Sequence, residues 1–256
     1  MAQIPYPERM FLHVCPLPRL LALLCLVTLA WPLCASGSEL RLCTDASSPR
    51  SRADGTGFED RIVQEAFHRL GVPVRQVVVS AERAMRNADQ GLDDGVYSRV
   101  SGLSRLYPNL IMVAEPLSAF DFAAFSTDPS MRIPDWKGLE RYDVGIVTGW
   151  KIVEANTANV RSLCQTHSEE SLLALLDKGR VEVAVLGLDS GREILRRKGY
   201  TKISPLSPPL AHRDMHLYLN KRHADLVPKL DAVLRQMRRD GTIRRLTRAG
   251  LGEAGQ

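Results

Sequence analysis

The 256-residue chain lacks most of the motifs that declare a chemistry outright. It has no glycine-rich phosphate loop and no dinucleotide fingerprint, which argues against the nucleotide-binding classes built on those turns. A nucleophile elbow is also missing: Gly187-Leu-Asp-Ser-Gly191 does not set its serine between two glycines at two-residue spacing. The histidines offer no zinc set. His212 and His216 stand four apart with His223 beyond, but Arg213 holds the place where hydrolytic zinc motifs carry glutamate. No cofactor and no metal is therefore expected. Internal repeats and low-complexity tracts are absent as well.

Hydrophobic runs are scarce too. The single long one, Leu20 to Leu33, is shorter than the roughly 20 residues needed to cross a bilayer. Arg9 and Arg19 precede it, and Ala35, Ser36, Gly37 and Ser38 follow. A charged start, a short apolar middle and a small-residue end make a signal peptide. Residues 1–37 are accordingly expected to be a leader that directs export to the periplasm, with cleavage between Ser36 and Ser38, and a signal anchor that stays attached is the alternative. A lipoprotein leader would put small residues before its cysteine, whereas Cys25 follows Leu23-Leu24 and Cys34 follows Pro32-Leu33. Of five cysteines, the leader takes Cys15, Cys25 and Cys34, leaving Cys43 and Cys164.

Lys and Arg outnumber Asp and Glu by 34 to 29, a formal charge of +5. Much of the excess lies near the end, at Arg235, Arg238, Arg239, Arg244, Arg245 and Arg248. A nucleic-acid surface would interleave aromatics with these arginines, and none is there. A solvated helix face is the expectation, with no nucleic-acid partner.

What remains is a repeated α/β pattern. Leu40 to Thr44 alternates as a strand and runs into the polar loop Asp45 to Gly57. Phe58, Ile62, Ala66 and Leu70 then mark one helix face, which Gly71 and Pro73 stop. Val74 to Val79 predicts a strand and Ala81 to Gln90 a helix. Leu110 to Val113 and Phe120 to Phe125 predict two more strands. The pattern restarts with a strand over Tyr142 to Val147, a turn at Thr148-Gly149 and a helix over Trp150 to Ala158. A strand over Val160 to Leu163, a helix from Glu169 to Leu176, a strand over Val181 to Leu186 and a helix over Ser190 to Lys198 follow. The tail predicts a strand over Met215 to Leu219, a helix with Leu226, Leu230, Val233 and Met237 on one face, and a last helix over Thr242 to Arg248. Alternation of this kind makes parallel sheets with helices packed on them.

Several segments, in this order, resemble the bacterial extracellular solute-binding proteins of family 3, which include the polar amino-acid receptors of ABC importers. They are Asp54-Gly-Thr-Gly-Phe58, Gly91-Leu-Asp-Asp-Gly95 before a strand, Tyr107-Pro-Asn-Leu110 with Glu115-Pro116, Tyr142 to Gly149, Gly179 to Ala184, and Leu219 to His223 continuing to Gly241. The resemblance implies an α/β, two-lobe periplasmic binding protein-like fold of type II with a ligand cleft between the lobes. Residues 38–118 and a return segment, 206–256, would form lobe 1, and residues 119–205 lobe 2. Cys43 and Cys164 then fall in different lobes and are expected as free buried thiols. The implied partners are a small-molecule solute and the permease of an ABC importer, and the implied state is a monomer.

The same resemblance directs attention to particular residues. Arg99 and Arg105 follow the Gly91-to-Gly95 turn, where the amino-acid receptors place an arginine that forks onto the ligand carboxylate. Thr148, Gly149 and Trp150 form the turn that offers amides and a hydroxyl to that carboxylate, and they would equally serve as a helix cap. Asp45 and Ser47 end the first strand of lobe 1. Asp189 lies near the place of an acid that meets a ligand ammonium, offset by about two positions, and would equally cap the helix from Ser190. The Asp45-to-Gly57 loop departs from the receptors by carrying no aromatic residue to stack on a ligand. The sequence thus predicts a binding protein, not an enzyme, for a small, polar, carboxylate-bearing solute. Two alternatives stand beside it: a dehydratase-like enzyme on the same fold, with Asp45 and Asp189 as its acid–base pair, and a periplasmic sensor or accessory protein with a degenerate cleft.

Overall fold

A computed structural model describes residues 1–3 and 39–252 of the chain. Nearly all of the expected leader, and the last four residues, lie outside the described residues. Among the described residues no helix is long and apolar enough to cross a membrane.

The first strand, β1 (Leu40–Thr44), has parallel neighbours on both sides, β2 (Val74–Val78) and β3 (Gly95–Arg99). The connections are helices α1 (Phe58–Arg69) and α2 (Ala81–Asp89). Helix α1 starts at Gly57, whose N–H donates to Asp60 Oδ2 at 2.9 Å, so the third helical residue reaches back over the free end. Its apolar stripe, Phe58, Ile62, Val63, Ala66 and Phe67, is buried. Strand β4 (Leu110–Met112) and the long β5 (Ser118–Ser126) follow.

In the middle of the chain, β6 (Asp143–Val147) lies parallel to both β7 (Ser162–Thr166) and β8 (Val183–Gly187). Helices α3 (Lys151–Asn156), α4 (Glu169–Asp177) and α5 (Leu188–Lys198) connect and follow them. Helix α4 is capped by Ser168, whose hydroxyl oxygen accepts from Ser171 N at 3.2 Å. The two-residue strand β9 (Ser204–Pro205) pairs with β5. Strand β10 (Ala211–Asn220) then leads to the C-terminal helices α6 (Val227–Arg239) and α7 (Thr242–Gly250).

Strands β5 and β10 join two sheets. The first half of β10 pairs antiparallel with β5 from Ala211↔Phe122 to Met215↔Ser118, and its second half pairs with β3 and β4. Strand β5 in turn pairs with β8. The order is β2-β1-β3-β10-β5-β8-β6-β7, so the two long strands carry the chain from one lobe to the other. On the first lobe α1, α6 and α7 pack a core around Phe58, Phe67, Leu217, Leu234 and Met237. On the second, Val144, Ile146, Val183 and Val185 pack with Leu139 and Val153 on one face of the sheet.

The largest departure from the sequence pattern is β10, which extends four residues ahead of Met215. His212, Arg213 and Asp214 are exposed, so that half of the strand carries no apolar alternation and is held by its pairing with β5. Strand β7 shows the same effect: Ser162, Leu163 and Gln165 are exposed on the sheet edge, and the pairing sits two residues beyond the expected run. Helix α3 is shorter than expected and closes at Thr157, whose hydroxyl donates to Val153 O at 2.9 Å. Cys43 and Cys164 are both free, Cys43 buried and Cys164 partly exposed. The Cys43 thiol donates to Asp93 Oδ2 at 2.8 Å, and burial together with that carboxylate pushes its pKa up, which makes it a packing residue.

Candidate ligand-binding site

The carboxyl ends of β1, β3 and β6 meet between the lobes and border a cavity of about 40 Å³. Asp45 and Ser47, from the loop after β1, line it, as do Ser98 and Arg99 at the end of β3. Phe120, Phe122 and Trp150 supply the opposing wall. The three rings form one cluster: Phe120 and Phe122 have centroids 4.6 Å apart, and Trp150 stands edge-on to them at 5.5 and 5.9 Å. The aromatic surface missing from the first loop therefore comes from the second lobe.

Arg99 is the charged centre. Its side chain is only 8% exposed, and Nη1 donates to Asp45 Oδ1 at 2.7 Å and to Ser98 O at 2.8 Å. Nε and Nη2 are buried without a hydrogen-bond partner. A guanidinium edge left bare inside a protein loses the full desolvation free energy of its donors, so it marks a place where an acceptor belongs. Ser98, with φ at 62°, is a left-handed non-glycine residue, a conformation that appears at functional sites and turns its carbonyl onto Arg99 here. Asp45 Oδ2 accepts from Trp150 Nε1 at 3.1 Å, so one carboxylate links Arg99 of the first lobe to an indole of the second.

Further contacts close the seam. Gly149, with φ at +93°, lies so near the start of α2 that a Cβ there would stand 2.4 Å from Glu82 N. Lys151 Nζ bridges Glu82 at 2.5 Å and Glu154 at 2.9 Å. Burial alone would depress the Lys151 pKa, but the two carboxylates outweigh it and raise the value. Ser47 and Ser48 donate across the seam to Glu169 at 2.8 Å and Glu193 at 2.6 Å. Glu169 is buried at the start of α4 and also accepts from Gly187 N and Ser190 Oγ. Desolvation raises its pKa to about 7 despite those donors.

Gly149→Ala is expected to lower stability by about 1–3 kcal/mol, from the left-handed backbone and the clash with α2 together. Urea unfolding checks it; a loss of no more than about 1 kcal/mol, the share of the left-handed backbone alone, would mean that the lobes do not meet at this point in solution.

The structure brings together Asp45, Ser47, Arg99, Gly149 and Trp150 and leaves three other candidates outside the cavity. Arg105 is exposed on a short 3-10 turn, because Leu103 and Tyr107 are the residues of that segment that turn inward. Thr148 faces a separate polar groove with Ser80, Arg83 and His167, since the chain passes β6 and turns only at Gly149. Asp189, 41% exposed in the first turn of α5, lies 3.6 Å from Arg50 and so faces an arginine of the protein itself. Asp45 and Asp189 line different cavities, which leaves the acid–base pair of the dehydratase alternative unassembled. Sequence reasoning missed Arg50, buried on Glu59, Ser118 and Ala119 O with its guanidinium 4.4 Å from the Phe120 ring centroid. Nothing in a polar loop singles it out. Phe120 and Phe122 were legible as strand residues, and only the course of β5 between the lobes turns them into a wall.

No protein-family model matches the chain. An uncharacterized protein of Shewanella oneidensis is 24% identical over 197 residues, 73% of this chain and 74% of that protein. A solved histidine kinase sensor domain with similarity to periplasmic binding proteins superposes at a TM-score of 0.73 with 16% identity, covering 85% of this chain and 97% of that one. An ancestral arginine-binding protein bound to arginine superposes at a TM-score of 0.70 with 18% identity, covering 82% of this chain and 97% of that one. These likenesses define the fold class: an α/β, two-lobe periplasmic binding protein-like fold.

Proposed function

We propose that the chain is an exported solute-binding protein that captures a small carboxylate-bearing solute between its lobes and hands it to the permease of an ABC importer. Residues 38–118 and 206–256 would act as one lobe, residues 119–205 as the other, and the leader would place the protein in the periplasm. The observation that carries the reading is the bare, buried Nε/Nη2 edge of Arg99 beside the cavity. Two parallel N–H donors match the two oxygens of a carboxylate. Asp45, Ser47, Gly149 and Trp150 would shape the rest of the site.

The test is thermal unfolding of the purified protein against a panel of small carboxylates and amino acids. A true ligand at about 100 times its Kd should stabilise the protein by about 2.7 kcal/mol. A panel that moves nothing would sink the reading. It would then favour a sensor or accessory protein that offers a closed seam to a partner, as the direct contacts of Asp45 with Trp150 and Ser47 with Glu169 allow without any solute.

A further inference from the structure

We infer that Trp150, by occupying the second oxygen of Asp45, restricts the site to short monocarboxylates that carry no ammonium group. This inference rests on the proposed solute-binding reading and narrows its substrate class.

An α-amino acid brings a carboxylate and an ammonium, and a site that takes both out of water must supply a partner for each. The bare edge of Arg99 answers the carboxylate. The ammonium needs an anion, because a buried charge without one is strongly disfavoured. Asp45 is the only acid that lines the cavity among the described residues. Each of its oxygens already accepts one hydrogen bond, Oδ1 from Arg99 Nη1 at 2.7 Å and Oδ2 from the Trp150 indole N–H at 3.1 Å, so an ammonium would have to share the carboxylate with both. Asp189, which the resemblance sets near an acid of this purpose, faces Arg50 instead. Beyond Arg99 the wall is largely apolar, with Val100, Leu103, Phe120, Phe122 and Met215. With a volume of about 40 Å³, the cavity suits a small acid. The ligand that satisfies every group is thus a carboxylate with a compact apolar tail.

Matched pairs that differ by one amino group test this: acetate against glycine, propionate against alanine, butyrate against 2-aminobutyrate, each titrated into the purified protein by calorimetry. The acids should bind, and their amino counterparts about 10- to 100-fold more weakly. In Trp150→Phe, which keeps an aromatic wall and removes the N–H, Asp45 Oδ2 is released and the gap within each pair should narrow as the amino acids tighten. Amino acids that bind the parent as tightly as the acids overturn the inference while leaving the solute-binding reading intact. A gap unchanged in Trp150→Phe overturns the part assigned to Trp150. If neither series binds, the carboxylate reading fails and this inference with it.

Discussion

Replacing Arg99 by alanine should weaken the binding of a short carboxylate by about 30-fold to several thousand-fold. Removing one partner of a desolvated, hydrogen-bonded charge pair typically costs about 2–5 kcal/mol, and about 1.4 kcal/mol is tenfold in affinity. The side chain is more than nine-tenths buried, so water does not substitute for the lost donors. Arg99→Lys should recover only part of the loss, since an ammonium offers one point of charge in place of a planar fork. Arg105→Ala is the internal control: the residue is exposed and outside the cavity, and its loss should leave affinity unchanged. Calorimetry with the best carboxylate, on variants first shown to fold by circular dichroism, decides the matter. Equal binding by Arg99→Ala and the parent would reduce the arginine to a structural ion pair with Asp45.

The two arginines show how far a sequence carries a site. Both follow the same glycine-rich turn, and the sequence puts Arg99 only slightly ahead, on a Gly102-to-Asn109 spacing longer than that of the amino-acid receptors. Strand β3 makes the choice. Its last residue, Arg99, is at the carboxyl end of the sheet opposite His216 of β10, while Arg105 is six residues on, past a left-handed Gly102, on a turn whose buried side chains are leucine and tyrosine. The elements of both α/β units were legible because their buried faces repeat at helical or strand period. The seam was not. Ser47, Glu169, Glu82 and Lys151 are polar residues of loops and helix ends, Glu193 lies in the middle of α5, and the meaning of all five depends on which lobe approaches which. That information lies in the paired course of β5 and β10, and half of β10 is too polar to announce itself.

Glu169 gives the seam a pH dependence of calculable sign. Its carboxyl is buried, with Ser47 of the first lobe on one oxygen and Gly187 N and Ser190 on the other. Desolvation is the leading cause that carries its pKa from 4.5 to about 7, and the nearby charge of Asp45 adds to the rise. In the unfolded chain the carboxyl titrates at its ordinary value, so between about pH 4.5 and 7 the folded state holds more protons. Stability therefore falls as pH rises through that window and levels off above it. At about 1.4 kcal/mol per unit, the rise from 4.5 to about 7 corresponds to about 3 kcal/mol between the ends. Other carboxylates oppose this only at lower pH: Asp93, Asp94 and Asp240 are held below their usual range, and their contribution is lost as pH falls through their own values. Comparison with Glu169→Gln isolates the effect. The amide keeps an oxygen for Gly187 N and Ser190, presents an N–H to the Ser47 hydroxyl and carries no charge. The variant should match the parent near pH 4.5 and exceed it by about 3 kcal/mol at pH 8, measured by urea unfolding across the range. A difference that stays constant from pH 4.5 to 8 would mean that water reaches the carboxylate in solution, and hence that the lobes stand apart at this edge of the cleft.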